Sequence, residues 1–489
     1  MRLHSLACAV LWVWCWTGAR ALAAEWSVAG VMVTPSGILA DGTLSISGDG
    51  KILSVGPSAS AQPSTSPVKL LGVILPGFID LHDHLTWNVQ PRWLPGRKFN
   101  NRYEWQDSAE YDRLLNNPHY AAMPAVACEA EIYAEIKALA GGATSVLGGL
   151  LSSDKTSENH KCVAGLARNL DTDSGFLQQQ PVFDDKCPTV RPETDRKILD
   201  VVDNEVFPLE LTHERFEYLL CALDHKTLRG MVVHLAEGAS TDSAAHREYN
   251  MLSKEVLLAP VSGKPKPIPI PRDGLALVHG TALRDADFLG MKDSNVGLIW
   301  SPRSNDELYG STTNIAAARL AKVDIAIAPD WSPSGSAGML QEMGYAYRHY
   351  GVSSDELVAM ATSTPAKLVR ISDYVGALAP GQFADFVALN VTIDTTRPNP
   401  LDPVVKATPA NVSLVVVGGQ AVYGDKNLLQ QLLPPGAVTS ELKVCGADKL
   451  VNLSGTGAAA HGWTLDDVKA HLKQALEALG TSLSDIECD

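Results

Sequence analysis

Two histidines separated by one residue stand just past an apolar run, Ile74-Leu-Pro-Gly-Phe-Ile-Asp-Leu-His82-Asp-His84. Side chains two apart in an extended segment point to one face, so the two imidazoles project together. Paired neutral imidazoles are half of a site for Zn²⁺ or Fe²⁺. Three further apolar runs each close on a polar residue: Met231-Val-Val-His234, Leu275-Ala-Leu-Val-His279 and Ile325-Ala-Ile-Ala-Pro-Asp330. Any one alone is more often a core histidine or a capping aspartate. Together they match the strand ends at which α/β barrels carry their chemistry. The chemistry implied is hydrolysis, because a bound divalent cation brings the pKa of water down to about 7.

Elements that would position these residues can be read along the chain. The 489 residues, 45% hydrophobic and 19% charged, suit a large α/β barrel with a smaller domain. Residues 24–75 read as short strands (Val28 to Val33, Thr43 to Ser47, Ile52 to Val55) with Gly48-Asp49-Gly50 as a hairpin turn. From 76 to 365, apolar runs alternate with helical stretches, the pattern of a (β/α)8 TIM-like barrel. Its third and fourth strands, somewhere in 163–205, are weakly marked. Residues 366–425 return to strands and are expected to join 24–75 in one composite β-sandwich domain. The tail, 426–489, reads as a helical appendage, with Val468, Leu472, Ala475, Leu476 and Leu479 on one stripe behind a Thr464 cap.

Residues 1–23 have the form of a secretory signal: Arg2 and His4, an apolar run from Leu6 to Trp16, then Ala21-Leu-Ala23. A secreted or periplasmic protein is expected, free of the membrane once the signal is cleaved. Six cysteines follow that segment, and Cys162–Cys187 and Cys445–Cys488 are the expected disulfides. The net charge, 40 − 55 = −15, argues against a nucleic-acid partner. A small-molecule substrate is the expected partner, and a homo-oligomer is compatible with the sequence.

The order His82-x-His84, His234-Leu-Ala-Glu237, His279-Gly280, Ser301-Pro-Arg-Ser-Asn305 and Asp330 resembles the amidohydrolase superfamily. Within it, the chain is similar to the mononuclear branch of cytosine and guanine deaminases and triazine chlorohydrolases, with similarity also to imidazolonepropionase. Gly141-Gly-Ala-Thr144 and Gly376-Ala-Leu-Ala-Pro-Gly381-Gln-Phe-Ala-Asp385 extend the likeness over about residues 27–424. The resemblance implies one divalent metal ion, zinc or iron(II), on His82, His84, His234 and Asp330. It implies Asp330, Glu237 and His279 as catalytic groups: Asp330 as proton acceptor from water, His279 on the water or substrate, Glu237 as proton carrier. The binuclear branch bridges two metals with a carboxylated lysine on the fourth strand. Lys186 and Lys197 lie near that region in polar surroundings, which favours a single ion.

Trp87, Arg303 and Asn305 are the substrate-binding candidates, Arg303 because a guanidinium binds a carboxylate bidentately. The stretch Gln90 to Trp105, rich in aromatic and basic residues, is either a lid or a packed loop. The implied reaction is deamination of a heterocycle or hydrolysis of a cyclic amide. A secreted amidase or dipeptidase-like hydrolase of N-acyl amino acids is the alternative, and a non-catalytic binding protein the third reading.

Overall fold

The computed structural model describes residues 25–61, 63, 65–149, 162, 165–171, 187, 201–211, 213–255, 257–258, 266–267 and 270–488. The segment expected to be a signal peptide lies outside them, as do Lys186 and Lys197.

Eight short parallel strands carry the site. Phe78–Asp80, Ala143–Val146 and Arg168–Asn169 form one sheet. Val202–Glu205, Gly230–Leu235, Leu275–His279, Gly297–Trp300 and Ile325–Ile327 form another, in sequence order. Backbone hydrogen bonds span the gaps between the two. Val202 N–H donates to Leu170 at 2.9 Å, Asp330 N–H to His82 at 3.0 Å, and His84 N–H to Asp330 at 3.0 Å. Buried on both faces, the last four of these strands are nearly all apolar. One face gathers Ile79, Leu147, Val202, Val232, Ala276, Val278, Ile299 and Ala326 over Leu368, Val369 and Ile371. The alternate residues Met231, Val233, Leu275, Leu277 and Leu298 pack outward with the helices. The third strand is only Arg168-Asn169, and the fourth is the polar Val202-Asp-Asn-Glu205, which explains why neither announces itself by hydrophobicity.

Strands from both ends of the chain hydrogen-bond into one sheet of nine. Val68–Pro76 lies inside it, parallel to Trp26–Thr34 and antiparallel to Phe386–Leu389. This strand runs through Gly77 directly into Phe78–Asp80, so the composite sheet fixes the entry of the His82 strand. The tail departs from the helical expectation. Thr439–Val444 and Ala447–Asn452 pair as a hairpin and add two strands to this sheet. Glu441, Lys443 and Asp448 stay exposed on that hairpin, a usual protection for an edge, and their charge hides the strand pattern. Only Leu465–Glu477 is a long helix; Thr464 and Asp467 cap it, and Leu465, Val468, Leu472 and Leu476 are its buried stripe.

Three disulfides form: Cys128–Cys162, Cys187–Cys221 and Cys445–Cys488. The expected Cys162–Cys187 pair is therefore corrected. Each of those cysteines instead joins a helix 34 residues away in sequence, Cys128 in Asn117–Ala140 and Cys221 in His213–Asp224. Polar sequence between two cysteines says nothing about such tertiary neighbours.

Candidate metal centre

The first strand ends at Asp80, yet the ladder resumes as a bridge between Asp83 and Asp330. That bridge, with the backbone bonds of His82 and His84 to Asp330, fixes residues 82–84 against the last strand and brings both imidazoles to the Asp330 carboxylate. Gly148 makes room for it: a Cβ there would lie 1.7 Å from the Asp83 carbonyl oxygen. His234 continues the Val232 face by strand alternation. His279 does not, because Val278 already occupies the inner face. A left-handed backbone at His279, φ 63°, turns it inward, and the same conformation recurs at Asp330, φ 73°, and Ala236, φ 54°. Non-glycine residues held there store strain and cluster at functional sites.

The result is a buried cluster. His82 Nε2 lies 3.1 Å and His84 Nε2 3.5 Å from Asp330 Oδ1. The ligand atoms of His82, His84 and His234 all fall within 4.8 Å of one another, as do those of His82, His279 and Asp330. Both ring nitrogens of His234, and Nε2 of His82, are buried without a hydrogen-bond partner. Buried polar atoms are otherwise almost always paired. Imidazole nitrogens and a carboxylate oxygen gathered this closely, with those of His82 and His234 unsatisfied, fit a divalent transition metal.

Protonation states agree with that use. Burial lowers His82 to about 4, lowers His84, and takes His234 well below the ordinary histidine value. The imidazoles are therefore neutral at pH 7, the form in which a histidine can bind a metal. Burial alone would raise the Asp330 carboxyl, but the surrounding histidines hold it below the usual carboxylate range.

A second ring of contacts orients these groups. Ser301 Oγ sits 2.8 Å from His82 Nδ1, and Asn305 Oδ1 2.9 Å from His279 Nδ1. Asn305 also donates to Thr312 Oγ1 at 3.0 Å, so this buried amide braces His279. Tyr309 donates to Glu237 Oε1 at 2.5 Å and accepts from Trp105 Nε1 at 2.8 Å. Burial and the Glu237 charge raise the Tyr309 phenol well above its ordinary value, which keeps it a donor. Glu237 Oε2 lies 3.7 Å from His279 Nε2. Tyr309 escaped the sequence reading, although Ser301, Asn305 and Tyr309 are four apart and lie along one side of the helix Pro302–Tyr309 and its cap. Behind Asp330, burial pushes Glu342 up to about 8, and its carboxyl accepts from Ser336 Oγ and from Arg303 N–H at 3.1 Å.

An aromatic layer lies beside the histidines. Trp331 is 6.0 Å from His84, centroid to centroid, and 5.6 Å from Trp87, which stacks on His119 at 3.8 Å. Trp93, Phe99, Trp105 and Tyr111 extend it. The Gln90 to Trp105 stretch is tied down by Trp93 N–H to Pro333 and Phe99 N–H to Leu308, both 2.8 Å. Arg102 within it is buried and pairs with Glu248 at 3.1 Å, which removes it from carboxylate recognition. Arg303 is half-buried and has no ion pair among the described residues.

A family model described as the amidohydrolase family matches residues 73–422. The chain belongs to the amidohydrolase family. It is 28% identical over 167 residues to a 5-methylthioadenosine/S-adenosylhomocysteine deaminase of Symbiobacterium thermophilum, covering 30% of this chain and 37% of that one. The guanine deaminase of Escherichia coli is 27% identical over 119 residues, 23% of this chain and 27% of that one. The match with this amidohydrolase thus spans from about a quarter to little more than a third of those relatives' length. Among solved structures, an adenosine deaminase from Xanthomonas campestris with bound zinc superposes with a TM-score of 0.58 at 16% identity, covering 93% and 98% of the two chains. A mutant atrazine chlorohydrolase from Arthrobacter aurescens, complexed with zinc and atraton, gives 0.60 at 17% identity, covering 81% and 94%. At such identities the structures establish a shared fold.

Proposed function

We propose that this amidohydrolase uses one divalent metal ion and water to break a non-peptide C–N bond in a nitrogen heterocycle or a cyclic amide. His234 carries the reading: a fully buried imidazole with both nitrogens unpartnered, its ligand atom near those of His82 and His84. In this reading the eight parallel strands close a (β/α)8 barrel, supported by the hydrogen bonds of Val202 and Asp330 at the two seams. His82, His84, His234 and Asp330 hold the ion, zinc or iron(II). A single ion is favoured because the fourth strand, Val202–Glu205, has no lysine to bridge two.

A divalent ion held there brings the pKa of a water at the site to about 7. Asp330 accepts the proton of the attacking water. His279, fixed through Asn305, orients the attacking oxygen or polarises the carbon. Glu237, fixed through Tyr309, delivers a proton to the leaving nitrogen, which leaves poorly without one. Relatives and neighbours named as guanine, adenosine and S-adenosylhomocysteine deaminases and an atrazine chlorohydrolase favour a heterocycle. The aromatic layer beside His84 suits a flat ring.

A second reading, hydrolysis of an N-acyl amino acid, is favoured by the unpaired guanidinium of Arg303, which suits a substrate carboxylate. Export is part of the proposal as well. It is supported by the signal-like residues 1–23 and by the three disulfides, which persist in oxidising compartments. No helix among the described residues is long and apolar enough to cross a membrane.

The test is metal analysis after chelator-free purification, followed by an ammonia-release and mass-shift screen. Purines, pterins, triazines, cyclic amides and N-acyl amino acids form the panel. The expectation is a stoichiometric transition metal, turnover of a heterocycle, and a loss of ~10²–10⁴-fold in a folded Asp330→Asn variant. Only trace metal in the wild type, or near-normal turnover in the variant, overturns the reading.

A further inference from the structure

The last residues of the chain leave the helix Leu465–Glu477 and run back to the loop that follows His84. Ser484 N–H donates to the Val89 carbonyl at 2.9 Å, and Ser484 Oγ to the Asn88 carbonyl at 2.8 Å. Arg92 Nε and Nη2 both donate to Glu487 Oε2, at 3.0 and 2.9 Å, and Gln341 donates to the Glu487 carbonyl at 3.0 Å. Leu483 and Ile486 pack on the main core. The segment is closed covalently, because Cys488 is bonded to Cys445 in the turn of the edge hairpin.

What the segment grips is informative. Asn88 joins both halves of the metal centre: its Nδ2 donates to Asp83 Oδ1 at 2.8 Å, and its Oδ1 accepts from Ser332 N–H at 2.6 Å. Asp83 lies between His82 and His84, and Ser332 lies two residues past Asp330. The carbonyl of Asn88 is held at once by Ser484 Oγ and by Lys137 Nζ at 2.6 Å, and Lys137 also donates to Ser484 Oγ at 2.8 Å. Lys137 is buried, so this knot is shielded from competing water.

We propose that residues 481–488 are a strap that positions the metal centre through Asn88, so that metal retention depends on Ser484 and on the Cys445–Cys488 bond. The inference rests on the metal reading given above. Asn88 and Ser484 are positioning residues, since neither touches the ligand cluster. With the strap released, the Asn88 carbonyl loses a donor and the Val89 carbonyl its partner. The Asn88 bridge between Asp83 and Ser332 is then held less firmly, and with it the spacing of the first-strand imidazoles from Asp330.

Zinc-loaded full-length protein is mixed with excess chromophoric chelator, and the rate of zinc release is followed. Wild type is compared with Cys445→Ser/Cys488→Ser, Asn88→Ala, Ser484→Ala and Ser484→Thr. Outer partners of metal ligands alter affinity by ~10–100-fold, and release from the double cysteine variant and from Asn88→Ala should be faster by at least the lower figure. Ser484→Ala should release several-fold faster, and Ser484→Thr, which keeps the hydroxyl, should return to the wild-type rate. Circular dichroism and melting of the metal-free variants separate lost folding from lost positioning. The serine pair carries the test if the cysteine variant does not fold. Release at the wild-type rate from the folded variants overturns the strap. A wild type that never holds stoichiometric zinc overturns instead the metal reading beneath it.

Discussion

Ser301→Ala separates orientation of a metal ligand from general stability. Ser301 Oγ lies 2.8 Å from His82 Nδ1, and both residues are buried. If His82 Nε2, 3.1 Å from Asp330 Oδ1, is the ligand atom as proposed, Nδ1 carries the hydrogen. Ser301 therefore accepts from Nδ1–H and selects the tautomer that presents a lone pair to the metal. Ser301 stands at the start of the helix Pro302–Tyr309, but its side chain makes no capping bond there, so alanine removes no cap. Loss of such a partner costs ~10–100-fold in metal affinity, or roughly 1.4–2.8 kcal/mol. Competitive zinc titration against a chelator of known affinity reads this directly and needs no substrate. Asn305→Ala is the contrast. It frees His279, which is outside the four proposed ligands, so zinc affinity should hold while turnover falls. Wild-type zinc affinity in Ser301→Ala would refute the reasoning. An equal loss of affinity in both variants would instead make His279 a ligand.

Two further outcomes are expected. Tyr309→Phe removes a hydrogen bond to the Glu237 carboxylate and leaves Trp105 Nε1 without its acceptor. A bond to a charged group is worth ~1.5–3 kcal/mol, so kcat should fall by about 10–100-fold with KM little changed, and steady-state kinetics on the screened substrate decide it. Glu342→Gln tests the buried carboxyl that burial pushes up to about 8. Between its ordinary value and 8, the unfolded chain ionises while the folded chain keeps the proton, so stability falls as pH rises through that window. Glutamine mimics the protonated form and should remove this slope, gaining several kcal/mol at pH 8 on a scale of about 1.4 kcal/mol per unit. Urea melts at pH 5 and pH 8 that shift in parallel for both proteins would contradict it.

The site was legible where apolar strands end in a polar residue. His234, His279 and Asp330 each close such a run, and the structure brings them together with His82 and His84. Burial on both faces makes a parallel strand conspicuous, and a polar residue at its end equally so. The groups that orient these side chains lack that contrast. Ser301, Asn305 and Tyr309 belong to a short polar helix, and only their spacing of four betrays a shared face. Trp331 is far along the chain from Trp87 and Trp105, and its meeting with them beside His84 is a tertiary fact. The hairpin 439–452 was hidden by the charges that protect an edge, and the Cys128–Cys162 pairing by the absence of any local rule for it.

The backbone at the site shows how the fold stabilises an arrangement that local preference resists. Ala236, His279 and Asp330 adopt left-handed conformations that cost a non-glycine residue ~1–3 kcal/mol each. Each is held by bonds that the strand alone could not supply. Ala236 N–H donates to Glu248 at 2.8 Å, and Glu248 is itself fixed by Arg102 and Tyr103. The His279 carbonyl accepts from Thr313 Oγ1. Asp330 is pinned on both sides by the first strand, which Asn88 and the disulfide-tied strap hold in turn. Substitution of glycine for Ala236 would relieve the strain without touching a metal ligand. The expected result is a more stable chain with a less ordered Glu237, because the strain and the aim of the neighbouring carboxylate have one origin.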